Sequence, residues 1–257
     1  MEAPVNVAVP VLEARQLSKH FGALAVTNNV NFSLALGARH ALIGPNGAGK
    51  TTFINLLSGT LRPSAGSVFL AGEDVTRCSE AQRVKRGLGR TFQINQLYVG
   101  LTVLENVLIA VAERAGIAYR LFRPIWWYRK HVDEAYAHLE QLGIAEDALK
   151  PVRELSYGRQ RLVEIALALA LRPAVLLLDE PAAGVPKGES SIILDVIGAL
   201  PRDVAVLIIE HDMDIVFRFA QCVTVMVQGV VFAEGIPREI SADPRVRSVY
   251  LGEQPHG

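Results

Sequence analysis

Gly44-Pro45-Asn46-Gly47-Ala48-Gly49-Lys50-Thr51-Thr52 stands between the apolar run Ala41-Leu42-Ile43 and the helix-like Phe53-Ile54-Asn55-Leu56-Leu57. A strand, a glycine-rich loop and a helix, in that order, turn the pattern GxxxxGK[ST] into a cradle for phosphate. Glycines let consecutive backbone N–H groups converge on an anion, and the helix that follows adds the positive end of its dipole. Lys50 supplies a point charge. The Thr51 hydroxyl is an oxygen donor of the kind Mg²⁺ takes in its octahedral shell. Nucleotide binding at residues 44–52 follows, and the rest of the chain decides the class of nucleotide enzyme.

The chain has 257 residues, half of them apolar, enough for one large domain or two lobes with a full core. Lysine plus arginine equal aspartate plus glutamate at 26 each, so the summed field does not attract a polyanion, and no nucleic-acid partner is expected. The first residues lack the basic-then-apolar pattern of a signal peptide. Leu162 to Leu178, the most apolar region, is interrupted by Glu164, Arg172 and Pro173, so no transmembrane helix is expected. Cys78 and Cys222 lie far apart without metal-type spacing and read as two reduced thiols, Cys222 in the core and Cys78 in a loop.

Val11 to Leu17 and Asn29 to Leu36 alternate apolar and polar residues and predict an antiparallel ribbon, with Phe21-Gly22 turning between them. Ser67 to Gly72 reads as a strand and turn, and Gly87 to Phe92 as a short strand ending at Gln93. Helical spacing begins at Thr102, whose capping box with Glu105 opens a helix to Arg114. Val132 to Leu142 is a second helix, and Leu155 to Leu171, opened by Ser156, a third. Ala174 to Leu178 and Val204 to Ile209 are continuously apolar, as strands buried on both faces of a parallel sheet should be. Gly188 to Leu200 is the helix between them, Val223 to Val227 and Val230 to Ala233 form a hairpin, and the tail from Pro237 is helix-like. Tyr119 to Lys130 interleaves aromatic and basic residues and holds both tryptophans; it suits either a docking boundary or packing within its own helical lobe.

Phosphoanhydride hydrolysis needs a metal holder, a group that orients water and a group that senses the γ-phosphate. Asp179 ends an apolar strand, where its carboxylate suits Mg²⁺, and Glu180 follows as a candidate base for the attacking water. These residues carry a specific resemblance. The chain resembles an ABC-transporter ATP-binding subunit through its Walker A loop, its Walker B run Leu176-Leu177-Leu178-Asp179-Glu180-Pro181, and Leu155-Ser156-Tyr157-Gly158-Arg159, which is similar to the LSGGQ signature. Arg90-Thr91-Phe92-Gln93 resembles the Q-loop, and Ile208-Ile209-Glu210-His211-Asp212 the switch histidine. The resemblance implies an α/β fold, a P-loop NTPase core with a parallel sheet (11–93 and 172–236), an N-terminal antiparallel β ribbon, a helical signature subdomain (94–171) and a C-terminal tail (237–257). It implies ATP and Mg²⁺ as cofactors, Phe21 stacking on adenine, Thr51, Gln93 and Asp179 at the metal, and Glu180, Gln93 and His211 in catalysis. Ser156 and Gly158 would face the ATP of a second protomer, either a second copy or a paralogous subunit.

Ala182-Ala183-Gly184, Tyr157, Glu234 to Pro237, Asp243-Pro244 and Tyr250-Leu251-Gly252 resemble the branched-chain amino-acid importer branch. That branch implies permease subunits as partners, a solute-binding protein acting indirectly, and a peripheral place on the cytoplasmic face of the inner membrane. The alternatives are the ATPase of another ABC system, such as a lipopolysaccharide-type exporter, or a soluble non-transport ABC ATPase. Two positions depart from the family: Arg159 replaces the signature glutamine and is expected to strengthen anion binding, and Pro186 replaces the aspartate or asparagine of the D-loop. Pro186 removes a polar side chain and a backbone donor, which places coupling between the two ATP sites in question.

Overall fold

The computed structural model describes residues 10–91, 97–117 and 128–251, which fall into two compact units. The first holds 10–88, 174–177 and 201–251, and the second holds 89–91, 97–117, 128–173 and 178–200.

In the first unit, Leu12–Phe21 (β1) and Leu24–Leu34 (β2) pair antiparallel, Leu12 opposite Leu34 and Phe21 opposite Leu24. The expected ribbon is therefore present, but it belongs to a larger sheet. Ala65–Leu70 (β4) pairs with the other edge of β1, and Glu73–Asp74 (β5) pairs with β4, giving the order β2-β1-β4-β5. A ladder edge left open at β1 would carry unmade backbone hydrogen bonds, and β4 fills it.

Arg39–Ile43 (β3) is buried at every residue and lies parallel to both Ala205–Ile209 (β8) and Cys222–Val227 (β9). Val230–Gly235 (β10) folds back on β9 through Gln228-Gly229, as the hairpin reading expects. With Leu88–Thr91 (β6) and Val175–Asp179 (β7), the second sheet has the order β10-β9-β3-β8-β7-β6. The apolar runs Ala41–Ile43 in β3, Val175–Leu178 in β7 and Ala205–Ile209 in β8 are thus accounted for by burial on both faces.

Lys50–Ser58 (α1) buries Phe53, Ile54, Leu56 and Leu57 in a core shared with Leu12, Leu17, Phe32, Leu42, Leu207 and Met226. Each such side chain contributes roughly 1.5 to 3 kcal/mol when fully withdrawn from water. The carboxyl end of α1 is closed by an arginine from Glu80–Val84 (α2): Arg83, 1% exposed, donates to Leu56 O at 2.7 Å, Leu57 O at 2.6 Å and Thr76 O at 3.1 Å. A cation at a helix C-terminus satisfies carbonyls that have no intrahelical donor. Met213–Phe219 (α7), Pro237–Ala242 (α8) and Pro244–Leu251 (α9) complete the unit.

The second unit is mainly helical. Val103–Arg114 (α3) begins at Thr102, and the Thr102–Glu105 capping box is formed in both directions. Arg129–Gln141 (α4) and Tyr157–Ala170 (α5) pack against α3, and Lys187–Gly198 (α6) packs against α5. Glu134 of α4 ties three segments together, accepting from Arg114 at 2.7 Å and from Arg172 at 2.7 Å, while Arg114 also donates to Ala170 O. The hydrogen bond from Arg114, opposed by partial burial and reinforced by Arg172, holds the Glu134 carboxyl down at about 2. Cys78 and Cys222 are both unpaired thiols of intermediate burial, so Cys222 is less enclosed than a core residue, and Cys78 packs against the core of the first unit. Among the described residues no helix is long and apolar enough to cross a membrane.

Candidate active site

The first unit carries Phe21, residues 44–52 and His211; the second carries Asp179, Glu180, Ser156 and Gly158. Gln93 and the stretch from Tyr119 to Trp127 lie outside the described residues.

The loop 44–52 leaves the buried end of β3 and enters α1 without a side-chain cap, so the first turn keeps its backbone N–H groups directed outward. Two glycines are obligatory for steric reasons. Gly44 (φ 154°) and Gly49 (φ 95°) adopt backbone conformations closed to most residues, and a Cβ would strike Met226 O at the first and Val26 O at the second. The loop is pinned from outside by Gly229 N, which donates to Ala48 O at 3.0 Å. Lys50 Nζ folds over the cradle and donates to Gly44 O at 2.6 Å and Pro45 O at 2.9 Å, which places its charge on the concave side of the loop. Thr51, in the first turn of α1, is exposed.

His211 is set by the sheet. Leu42 of β3 is in register with Ile209 of β8, and Glu210 N donates to Leu42 O at 3.3 Å. Gly44 and His211 therefore leave neighbouring parallel strands at the same end, each two residues beyond that pair. Beneath His211, Glu210 is 2% exposed and its carboxylate accepts from His211 N at 3.4 Å; Asp212 N-caps α7 through Asp214 N at 2.9 Å. His211 is exposed. Phe21 at the end of β1 is 51% exposed, with Lys19 Nζ 5.2 Å from its ring centroid. It is no part of the core and presents a face for stacking.

In the second unit, Asp179 is buried at the end of β7, and Arg90 of β6 stands beside it at 3.7 Å. Glu180 follows with φ 47°. A left-handed backbone at a non-glycine residue is uncommon and costly, and here it follows directly on the end of β7. Carboxylate and hydroxyl oxygens are the hard donors that Mg²⁺ prefers, so Thr51 and Asp179 fit that ion chemically. Ser156 N-caps α5, accepting from Arg159 N at 3.4 Å. Tyr157 receives a hydrogen bond from Arg161 at 2.6 Å, and Arg161 also binds Glu164 at 2.7 Å; burial raises the Glu164 carboxyl above its usual value.

Arg159 corrects an expectation. Its guanidinium binds Glu146 at 2.7 Å and also Asp147, so its charge is committed to the 3₁₀ turn Ala145–Asp147 rather than added to the anion cradle. Pro186 opens α6 as its N-cap with no side-chain hydrogen bond. Three residues escaped the sequence reading. Arg83 and Glu189 gave only weak signals, a capping-box pattern at Ser79–Gln82 and an acidic first turn in α6. Arg90 lay within the Q-loop match, but nothing in its spacing announced Asp179 as a neighbour.

Comparison with known proteins identifies the family. Residues 27–183 match the family model described as ABC transporter, and residues 230–256 match branched-chain amino acid ATP-binding cassette transporter. The chain is 36% identical to the high-affinity branched-chain amino acid transport ATP-binding protein LivG of Escherichia coli K12, covering 95% of this chain and 98% of that protein. It is 38% identical to the probable branched-chain amino acid transport ATP-binding protein LivG of Archaeoglobus fulgidus, covering 95% and 96%. Among solved structures, a nucleotide-free ATP-binding cassette from an ABC transporter aligns with TM-score 0.82 at 32% identity, covering 95% of this chain and all of that one. The ADP conformation of the cassette MJ1267 aligns with TM-score 0.82 at 30% identity, covering 95% and 99%. A buried β3 leading into the glycine cradle, the strained Glu180 after Asp179 and the capped signature helix thus occur in a chain that belongs to the ABC-transporter family of ATPases, among the branched-chain amino acid transport ATP-binding proteins.

Proposed function

We propose that the chain is the ATP-hydrolysing motor subunit of an importer for branched-chain amino acids or related small solutes. It would be held peripherally at the cytoplasmic face of the inner membrane by permease subunits and act indirectly with a solute-binding protein. The supporting observation is that the chain is 36 to 38% identical, over 95% of its length, to branched-chain amino acid transport ATP-binding proteins. In this reading residues 11–93 and 172–236 form the nucleotide core, 94–171 the helical subdomain and 237–257 the tail.

The roles follow from chemistry. Phe21 stacks on adenine, the amides of residues 44–52 and Lys50 bind the phosphates, and His211 donates a hydrogen bond to the γ-phosphate. Thr51, Asp179 and Gln93 would hold Mg²⁺, which would supply neutralisation of phosphate charge when bound. Arg90, 3.7 Å from the Asp179 carboxylate, helps to orient it. Glu180 accepts the proton of the attacking water. Ser156 and Gly158, at the N-terminus of α5, take the γ-phosphate bound by a second protomer, so that two subunits enclose two nucleotides about a two-fold axis.

Glu180→Gln tests the hydrolytic role. It removes the base and keeps the cradle, so steady-state phosphate release should fall by about 10² to 10⁴. ATP binding should persist, and size-exclusion chromatography with ATP and Mg²⁺ should show a dimer. A variant that hydrolyses like the parent would remove Glu180 from the mechanism.

A further inference from the structure

The signature residues hold an anion that the chain itself supplies. Glu189, in the first turn of α6, reaches the N-terminus of α5, where Ser156 Oγ donates to Glu189 Oε2 at 3.1 Å. Its carboxylate lies so close over Gly158 that a Cβ there would collide with Oε2 and stand 3.1 Å from the Glu189 Cβ. Gly158 is buried although Ser156 and Tyr157 just before it are exposed. The acidic side chain is set in place by its own helix: Pro186, with φ −55° and ψ 144°, opens α6, and its carbonyl accepts from Glu189 N at 2.9 Å.

We propose that Glu189 is a resident competitor, seated where the signature would otherwise receive a phosphate and obliged to leave before a second protomer's nucleotide can dock. This rests on the reading of Ser156 and Gly158 as the cradle for that nucleotide. The serine hydroxyl has one proton to donate, so it serves the carboxylate or the phosphate and not both. Two acceptor-only anions in one small cradle also repel each other. Ligand and carboxylate therefore compete for one donor and one helix terminus, and the carboxylate holds the two-protomer closure in check until ATP is abundant.

The test uses the hydrolysis-deficient Glu180→Gln chain, titrated with ATP and Mg²⁺ while dimer formation is followed by light scattering. Adding Glu189→Ala or Glu189→Gln removes the competing charge-assisted hydrogen bond, and the ATP midpoint for dimerisation should fall about tenfold. Ser156→Arg fills the cradle and should abolish the dimer. If Ser156→Arg dimerises like its parent, the cradle reading fails. If it blocks dimerisation while the Glu189 variants leave the midpoint unchanged or raise it, the cradle stands and the competitor is overturned. Should Glu189→Ala and Glu189→Gln melt, Glu189→Asp decides: it keeps the charge in the first turn but is one methylene short of Ser156, and an unaltered midpoint there overturns the proposal.

Discussion

Lys50 and His40 show how single side chains of the first unit answer to different physics. Lys50 sits on the inner face of the cradle, bonded to Gly44 O and Pro45 O, and its charge is worth most against a phosphate. Lys50→Ala should weaken ATP binding by roughly 1.5 to 3 kcal/mol, the value of a charge-assisted hydrogen bond. Titration calorimetry checks this, and equal affinities would remove Lys50 from the phosphate site. His40, 3% exposed in β3, lies at the head of a chain across three strands. Thr224 Oγ1 donates to Glu234 Oε2 at 2.6 Å, so its lone pair accepts from His40 Nε2–H at 2.7 Å, and the neutral ring satisfies the chain. Burial lowers the imidazole from its usual 6.5 to about 4. The unfolded state therefore binds the proton first. Stability is complete above about pH 6.5 and declines as pH falls toward 4, by up to about 3 kcal/mol from this residue. Urea unfolding of the parent and of His40→Asn at pH 7 and pH 4.5 should show a steeper acid loss in the parent; parallel losses would contradict the assignment.

Among the elements, those with a local signal were legible. The capping box at Thr102, Ser156 as N-cap, and the apolar runs of β7 (Val175–Leu178) and β8 (Ala205–Ile209) appear where side-chain chemistry places them. Contacts that close over long sequence separations were not. Arg83 reaches Leu56 and Leu57 from more than 20 residues away, and no periodicity encodes that reach. The pairing of β4 with β1 is equally non-local, so the antiparallel sheet read as a two-stranded ribbon. Arg159 shows the opposite failure: a motif position suggested an anion site, whereas the nearby acids Glu146 and Asp147 claim the guanidinium. Pro186 has a local consequence of its own. As N-cap of α6 it offers no side-chain acceptor, so Pro186→Asp should stabilise the helix start by about 1 kcal/mol. The same change restores a polar group to the D-loop and should make steady-state hydrolysis more cooperative in ATP. Superimposable ATP titrations with one Hill coefficient would separate the two effects and retire the coupling role.

At the scale of the molecule, the motif order from Gly44 to His211 identified the family because several chemically independent groups are needed together, and each had a strand end or helix start to stand on. Glu180 reads as a candidate base from its neighbour Asp179, but its left-handed backbone was not legible, since positive φ at a glutamate leaves no trace in composition. The motor function proposed for the chain acts on a permease. The most direct test is to copurify the chain with its membrane partner, reconstitute the complex in proteoliposomes with its solute-binding protein, and measure ATP hydrolysis with and without leucine. The account expects leucine-stimulated hydrolysis accompanied by leucine accumulation, both lost in Glu180→Gln; hydrolysis indifferent to branched-chain amino acids, with no uptake, would contradict it.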